Sequence, residues 1–172
     1  MLFTGSEVVA FNWDSGMQEE RFVTVRTDYG NPDFRALVEK LDAELSLRDG
    51  PDHGFYHQFN RIEGLDQVVV AYVGGISVAC GAIKPFEADS MEIKRMFVLP
   101  EYRGQGAAQK VIQALEVWAW ESGATRCVLE TGKRQPEAIA FYRKSGYDPM
   151  ENYGPYRGIE NSLCFEKRFK EG

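Results

Sequence analysis

The sequence predicts an α/β domain built on a mixed sheet. Three observations carry that prediction. Short β-rich stretches alternate along the chain with stretches whose apolar residues recur at helical spacing. Gly74-Gly75 joins two of the β-rich stretches as a hairpin, which forces antiparallel pairing. A long amphipathic helix lies between two further strands, and such a crossover favours parallel pairing.

In chain order, residues 1–20 are weakly patterned and read as a loosely structured or edge segment. Arg21 to Thr27 alternates as a strand does. Asn31-Pro32-Asp33 opens a helix with a capping side chain, a proline in the first turn and an acid. Phe34, Leu37, Val38, Leu41 and Leu45 form its apolar stripe, and Asp49-Gly50-Pro51 stops it. His53 to Ile62 reads as a short helix or a structured loop. Gln67–Val73 and Ile76–Lys84 form the hairpin, and Ser90–Leu99 is a further strand that Pro100 ends. The long helix follows Arg103–Ala108, buries Val111, Ile112, Leu115, Trp118 and Ala119, and ends at Gly123. Arg126–Glu130 is a strand. Gln135-Pro136-Glu137 starts a helix that Gly146 stops, and Asn161–Phe169 is the closing strand.

Composition narrows the function. The 172 residues suit one domain spanning 1–172, and 44% hydrophobic with 13% aromatic residues rules out bulk disorder. Lys and Arg total 20 against 26 Asp and Glu, a net charge of −6 that argues against a nucleic-acid partner. The longest apolar run, Val68–Ile83, is too short for a comfortable membrane span and is broken by Gly74-Gly75. The N-terminus shows no secretory signal, and Cys80, Cys127 and Cys164 read as reduced buried thiols, so a cytoplasmic location is expected. His53 and His57 stand four apart with no evident third ligand, so no metal is expected.

The informative stretch is Arg103–Ala108, between a strand and a long helix. Glycines let the backbone turn sharply and approach a ligand. Loop amides, first-turn amides and the helix dipole together make an anion site, of which a pyrophosphate is a natural occupant. Arg103 adds a permanent planar charge. There is no Gly-Lys-Ser/Thr, so this is not an NTPase loop, and it lacks the Gly-x-Gly-x-x-Gly of a dinucleotide fold.

Arg103, Gly106 and Ala108 after a strand resemble the acyl-CoA signature of the GNAT N-acetyltransferases. A second stretch, Gln135 to Tyr147, resembles the family's other signature. There Ala138, Tyr142, Gly146 and Tyr147 fit, and Gln135 stands where the family usually has Asn. The resemblance covers about residues 67–147. It implies a mostly antiparallel sheet of six or seven strands with about four helices, whose strands at Ser90–Leu99 and Arg126–Glu130 splay apart to admit acetyl-CoA. It further implies that backbone groups at Met96, Phe97 and Val98 pair with the pantetheine arm. The loop residues Arg103, Gly104, Gln105, Gly106, Ala107 and Ala108 would hold the pyrophosphate, and Gln135 would be a further cofactor contact.

The implied reaction is acetyl transfer from acetyl-CoA to a primary amine in a ternary complex. Tyr142 is the implied acid at the leaving sulfur. Glu92, in the strand before the loop, is the implied base, with Glu130 in the facing strand as the alternative. A bulge in the strand carrying Glu92 would change which residues share its face. Tyr56, Phe59, Tyr153, Tyr156 and Arg157 are candidate acceptor contacts. A small-molecule amine is favoured as acceptor, while a protein acceptor and a homodimer stay open. The competing reading is a silent CoA-binding sensor or scaffold.

Overall fold

The computed structural model describes residues 21–171, so the expectation for residues 1–20 lies outside the described residues. The chain runs β1 (Val23–Thr27), α1 (Pro32–Asp49), α2 (His53–His57), β2 (Gln67–Val73), β3 (Ile76–Glu87), β4 (Ser90–Val98), α3 (Ala107–Glu121), β5 (Arg126–Gly132), α4 (Pro136–Lys144), β6 (Asp148–Met150) and β7 (Ser162–Arg168). The seven strands form one sheet in the order β1-β2-β3-β4-β5-β7-β6. Every neighbouring pair is antiparallel except β4 with β5. Strand β6 is the element that periodicity did not reveal: three residues with Pro149 at the centre carry no alternation, and an edge is where a strand proline is tolerated.

The α1 start is as local chemistry dictates. The Asn31 side chain accepts hydrogen bonds from the amides of Asp33 and Phe34 at 2.8 and 3.1 Å. One face of α1 packs Phe34, Leu37, Val38 and Leu41 onto Val68, Val70, Cys80 and Ala82. On the other side of the sheet Val111, Ile112, Leu115 and Ala119 of α3 cover Val69, Ala71 and Ala79. The unbroken apolar run of β2 follows from this double cover, since both faces of the strand are buried. Each fully buried Val or Leu contributes about 1.5–3 kcal/mol.

Two irregularities in β4 prepare the site. Cys80 pairs with Phe97 and Ala82 with Lys94, so Gly81 faces both Arg95 and Met96 across a bulge. Arg95 takes φ 58°, the left-handed region, and its guanidinium is held by Asp42 of α1. The bulge shifts the strand's parity. Phe97 joins the α1 side, while Met96 turns to the α3 side with Ile93. Period-two alternation alone would place Met96 on the face of Glu92 and Lys94. A side chain at Gly81 would meet Met96 Sδ at 2.5 Å, so the bulge requires a glycine opposite it.

Candidate functional site

β4 and β5 pair at only three positions, Ser90 with Arg126, Met91 with Cys127 and Glu92 with Val128. From Ile93 onward the edge of β4 that faces β5 has no strand partner. A cavity of about 120 Å³ lies at the parting, lined by Lys94 and Met96 of β4, Glu130 and Thr131 of β5, Gln135, Tyr142 of α4, and Asp49 at the end of α1.

Tyr142 is 8% exposed, and burial together with the nearby Glu130 charge raises its phenol above the ordinary value. It therefore stays protonated as a hydrogen-bond donor. Glu130 is pushed from 4.5 up to about 7, mainly by burial. The Lys94 ammonium opposes this shift, and Asp49 and Glu92 add to it. Asp49 is also raised, again by burial first, with His53 Nδ1 at 3.8 Å working against the shift. Lys94 moves the other way, because burial disfavours its ammonium.

The loop at the head of α3 leaves its main-chain donors free. Gly104 and Gly106 take φ 75° and 92°, and no side chain caps the helix. Among the described residues, the amides from Gly104 to Ala108 donate to no backbone carbonyl, and residues 103–106 are exposed. Arg103 is engaged otherwise: its Nε donates to the Val98 carbonyl at 3.0 Å and its Nη2 to Glu44 at 2.7 Å. Gln105 Nε2 donates to the Glu101 carbonyl. The free donors of this loop are thus main-chain amides, with the Arg103 and Gln105 side chains already engaged.

Glu92 lies elsewhere. Its Oε2 accepts the Tyr153 hydroxyl at 2.6 Å, and Lys84 and Lys94 stand 3.7 and 3.8 Å from Oε1. It lines a second cavity, of about 380 Å³, together with Phe59, Arg61, Lys84, Phe86, Tyr153 and Tyr156. Lys94 and Tyr156 line both cavities and form the neck between them, with Lys94 Nζ donating to Tyr156 Oη at 3.3 Å. Tyr56 lines the first cavity and shares a 2.9 Å hydrogen bond with Ser162. Arg157 is exposed and lines neither cavity. The structure therefore brings Tyr142 together with Glu130, and Glu92 together with Tyr153.

A model of the acetyltransferase (GNAT) family matches residues 23–147. The chain belongs to the GNAT acetyltransferase family. It is 39% identical over 133 residues to an IAA acetyltransferase of Azospirillum brasilense, across 76% of this chain and 87% of that one. It is 32% identical to the N-acetyltransferase YjgM of Escherichia coli K12, across 70% and 78% of the two chains. A Klebsiella pneumoniae structure assigned to the acyl-CoA N-acyltransferases superposes with a TM-score of 0.72 at 28% identity, over 86% of this chain and 97% of that chain. Ard1 of Thermoplasma volcanium shares the fold, with a TM-score of 0.66 at 18% identity over 88% and 99%.

This GNAT enzyme, an N-acetyltransferase, holds site residues that pattern reading passed over. Lys94 was visible as a strand charge, but its place at the neck comes from the parting of β4 from β5 and from Tyr156 packed beside it. Asp49 reads locally as a helix stop, and only the packing of α1 against the parted strands brings it to the cavity. Among the described residues, no group of three or more His, Cys, Asp or Glu is placed to hold a metal ion, and no helix is long and apolar enough to cross a membrane.

Proposed function

We propose that this enzyme transfers the acetyl group of acetyl-CoA to the primary amine of a small molecule, by direct attack in a ternary complex. The observation that carries the reading is the parting of β4 from β5 beyond Glu92, which opens a slot onto Tyr142 and Glu130. The pantetheine arm runs along the open edge of β4 at Met96–Val98, as an added strand would. The pyrophosphate sits on the free amides from Gly104 to Ala108.

An alkyl amine is mostly protonated near neutrality and attacks only when neutral. Glu130, which titrates near 7 beside the slot, takes the proton. The nitrogen then bonds to the acetyl carbon, and a main-chain amide on the open edge of β4 steadies the oxyanion. The carbon–sulfur bond breaks as the Tyr142 hydroxyl protonates the departing sulfur, which leaves as the CoA thiol, and the surplus proton of the new amide nitrogen returns to the Tyr142 oxygen. The raised phenol pKa keeps Tyr142 in its protonated, donating form, and the return of a proton from the amide nitrogen spares the buried site a free phenolate. Glu92 steadies this arrangement from the second cavity by accepting the Tyr153 hydroxyl, and its charge stands 3.8 Å from the Lys94 ammonium without a hydrogen bond.

The test is titration calorimetry of acetyl-CoA with the wild type and with Gly106→Trp, whose fold is checked by circular dichroism. Binding in the micromolar range, lost in the folded variant, supports the reading. A folded wild type that binds no acetyl-CoA refutes it. Thiol release with an amine panel then separates turnover from mere binding.

A further inference from the structure

We infer that the acceptor is a zwitterionic α-amino acid with a large apolar side chain, whose amine enters the Tyr142 cavity while its carboxylate meets Lys94 at the neck. This rests on the transfer reading above and names its substrate class. The side chain of Lys94 is 9% exposed. An ammonium has three protons to donate. Among the described residues only Tyr156 Oη accepts one, at 3.3 Å, and the nearest carboxylate oxygen, on Glu92, is 3.8 Å away, beyond hydrogen-bond reach. Glu92 is itself taken up by the Tyr153 hydroxyl. A buried cation with unfilled donors is costly, and an anion at the neck would satisfy it.

Charge differs between the two cavities. The first holds the acids Glu130 and Asp49 beside Lys94 and Arg95, and Arg95 is already paired with Asp42, so the two acids are left to suit an amine. The second holds Arg61, Lys84 and Lys94 against Glu63 and Glu92, and Arg61 makes no ion pair among the described residues. A ligand that is cationic at one end and anionic at the other matches that order, whereas a polyamine would drive its second cation against Lys94. The remaining wall is aromatic. Phe59 meets Tyr156 edge-on at 5.7 Å, Tyr156 meets Tyr153 at 5.8 Å, and Tyr153 meets Phe86 at 4.6 Å. A volume of about 380 Å³ lies at the small end of ligand sites, which run to about 1,000 Å³, and so favours one small molecule over a peptide segment.

The experiment measures thiol release at saturating acetyl-CoA with L-phenylalanine, L-tryptophan, L-phenylalaninamide, phenethylamine and spermidine, in the wild type and in Lys94→Met. The expected kcat/KM for the two amino acids exceeds that of the amide and of phenethylamine at least about tenfold, because the analogues bring no carboxylate to the unfilled donors of Lys94. In Lys94→Met that ratio collapses toward one, through KM for the amino acids. Equal or better use of phenethylamine or spermidine by the wild type overturns the inference, as does a ratio that survives in Lys94→Met. Calorimetry of the same amino acids, with and without CoA, separates the two levels. Lys94-dependent binding without thiol release from any amine would sink acetyl transfer but keep the ligand class. Thiol release from the other amines, with no amino-acid binding, would sink the ligand class but keep acetyl transfer.

Discussion

Replacing Glu130 with Gln tests the proposed proton acceptor through stability before any substrate is known. Its carboxyl is carried from 4.5 up to about 7, chiefly by burial. At about 1.4 kcal/mol per pH unit this makes the ionised form about 3 kcal/mol less favourable in the fold than in the unfolded chain. Allowing for the part of the half-buried carboxylate that meets water, about 2–3 kcal/mol remains. The sign follows from proton binding. Below pH 4.5 both states hold the proton and nothing is lost. Between 4.5 and 7 the unfolded chain releases its proton while the fold keeps it, so stability falls as pH rises, and above 7 the loss is complete. Gln carries no such penalty. Urea melts of wild type and Glu130→Gln, taken in steps from pH 4.5 to 8.5, should therefore start close together. They should diverge until the variant is about 2–3 kcal/mol the more stable, while its turnover falls about 10²–10⁴-fold. Stability curves that stay parallel across that range would mean that Glu130 ionises as an ordinary carboxylate, and its role as a base poised near neutrality would fall.

Other outcomes follow from the same geometry. Tyr142→Phe should lower kcat about 10²–10⁴-fold with little change in acetyl-CoA affinity, and calorimetry beside thiol release reads both; unchanged kcat at saturation would remove the proton-donor role. Gly81→Ala places a methyl 2.5 Å from Met96 Sδ, 2.9 Å from Leu115 Cδ1 and 3.0 Å from Val111 Cγ1. It should cost about 1–3 kcal/mol and lower the thermal midpoint; a neutral substitution would show that the bulge yields without strain. Cys80 and Cys127 are pushed up to about 12 and Cys164 to about 11 by burial, so a thiol reagent at pH 8 should leave the folded protein unlabelled and label all three after unfolding. One fast-reacting thiol in the folded protein would contradict that packing.

Much of this molecule is local and was therefore legible. Asn31 caps α1 with its own side chain, Gly74-Gly75 turns the hairpin at φ 55° and 81°, and Gly106 opens α3 in the left-handed region. Each depends on residues within a few positions, so spacing alone reveals it. The loop that offers free amides, and Tyr142 on the helix opened by Gln135-Pro136, were readable for the same reason. Strand β6 was not, because its place comes from pairing with β7 and not from its own residues.

What the sequence by itself determined is the order of the elements, the glycine loop with its free amides at the head of α3, and the family that both signatures resemble. The tertiary structure decided which charges meet. Glu92 and Tyr153 lie 61 residues apart and share a hydrogen bond. Glu130 stands in the Tyr142 cavity because β4 parts from β5 after Glu92. Met96 faces the Tyr142 cavity because a bulge at Arg95, held by Asp42 from another element, resets the faces of β4 beyond Lys94. The physical reason is that a carboxylate's chemistry depends on what buries it and which charges stand nearby, and those neighbours come from distant parts of the chain.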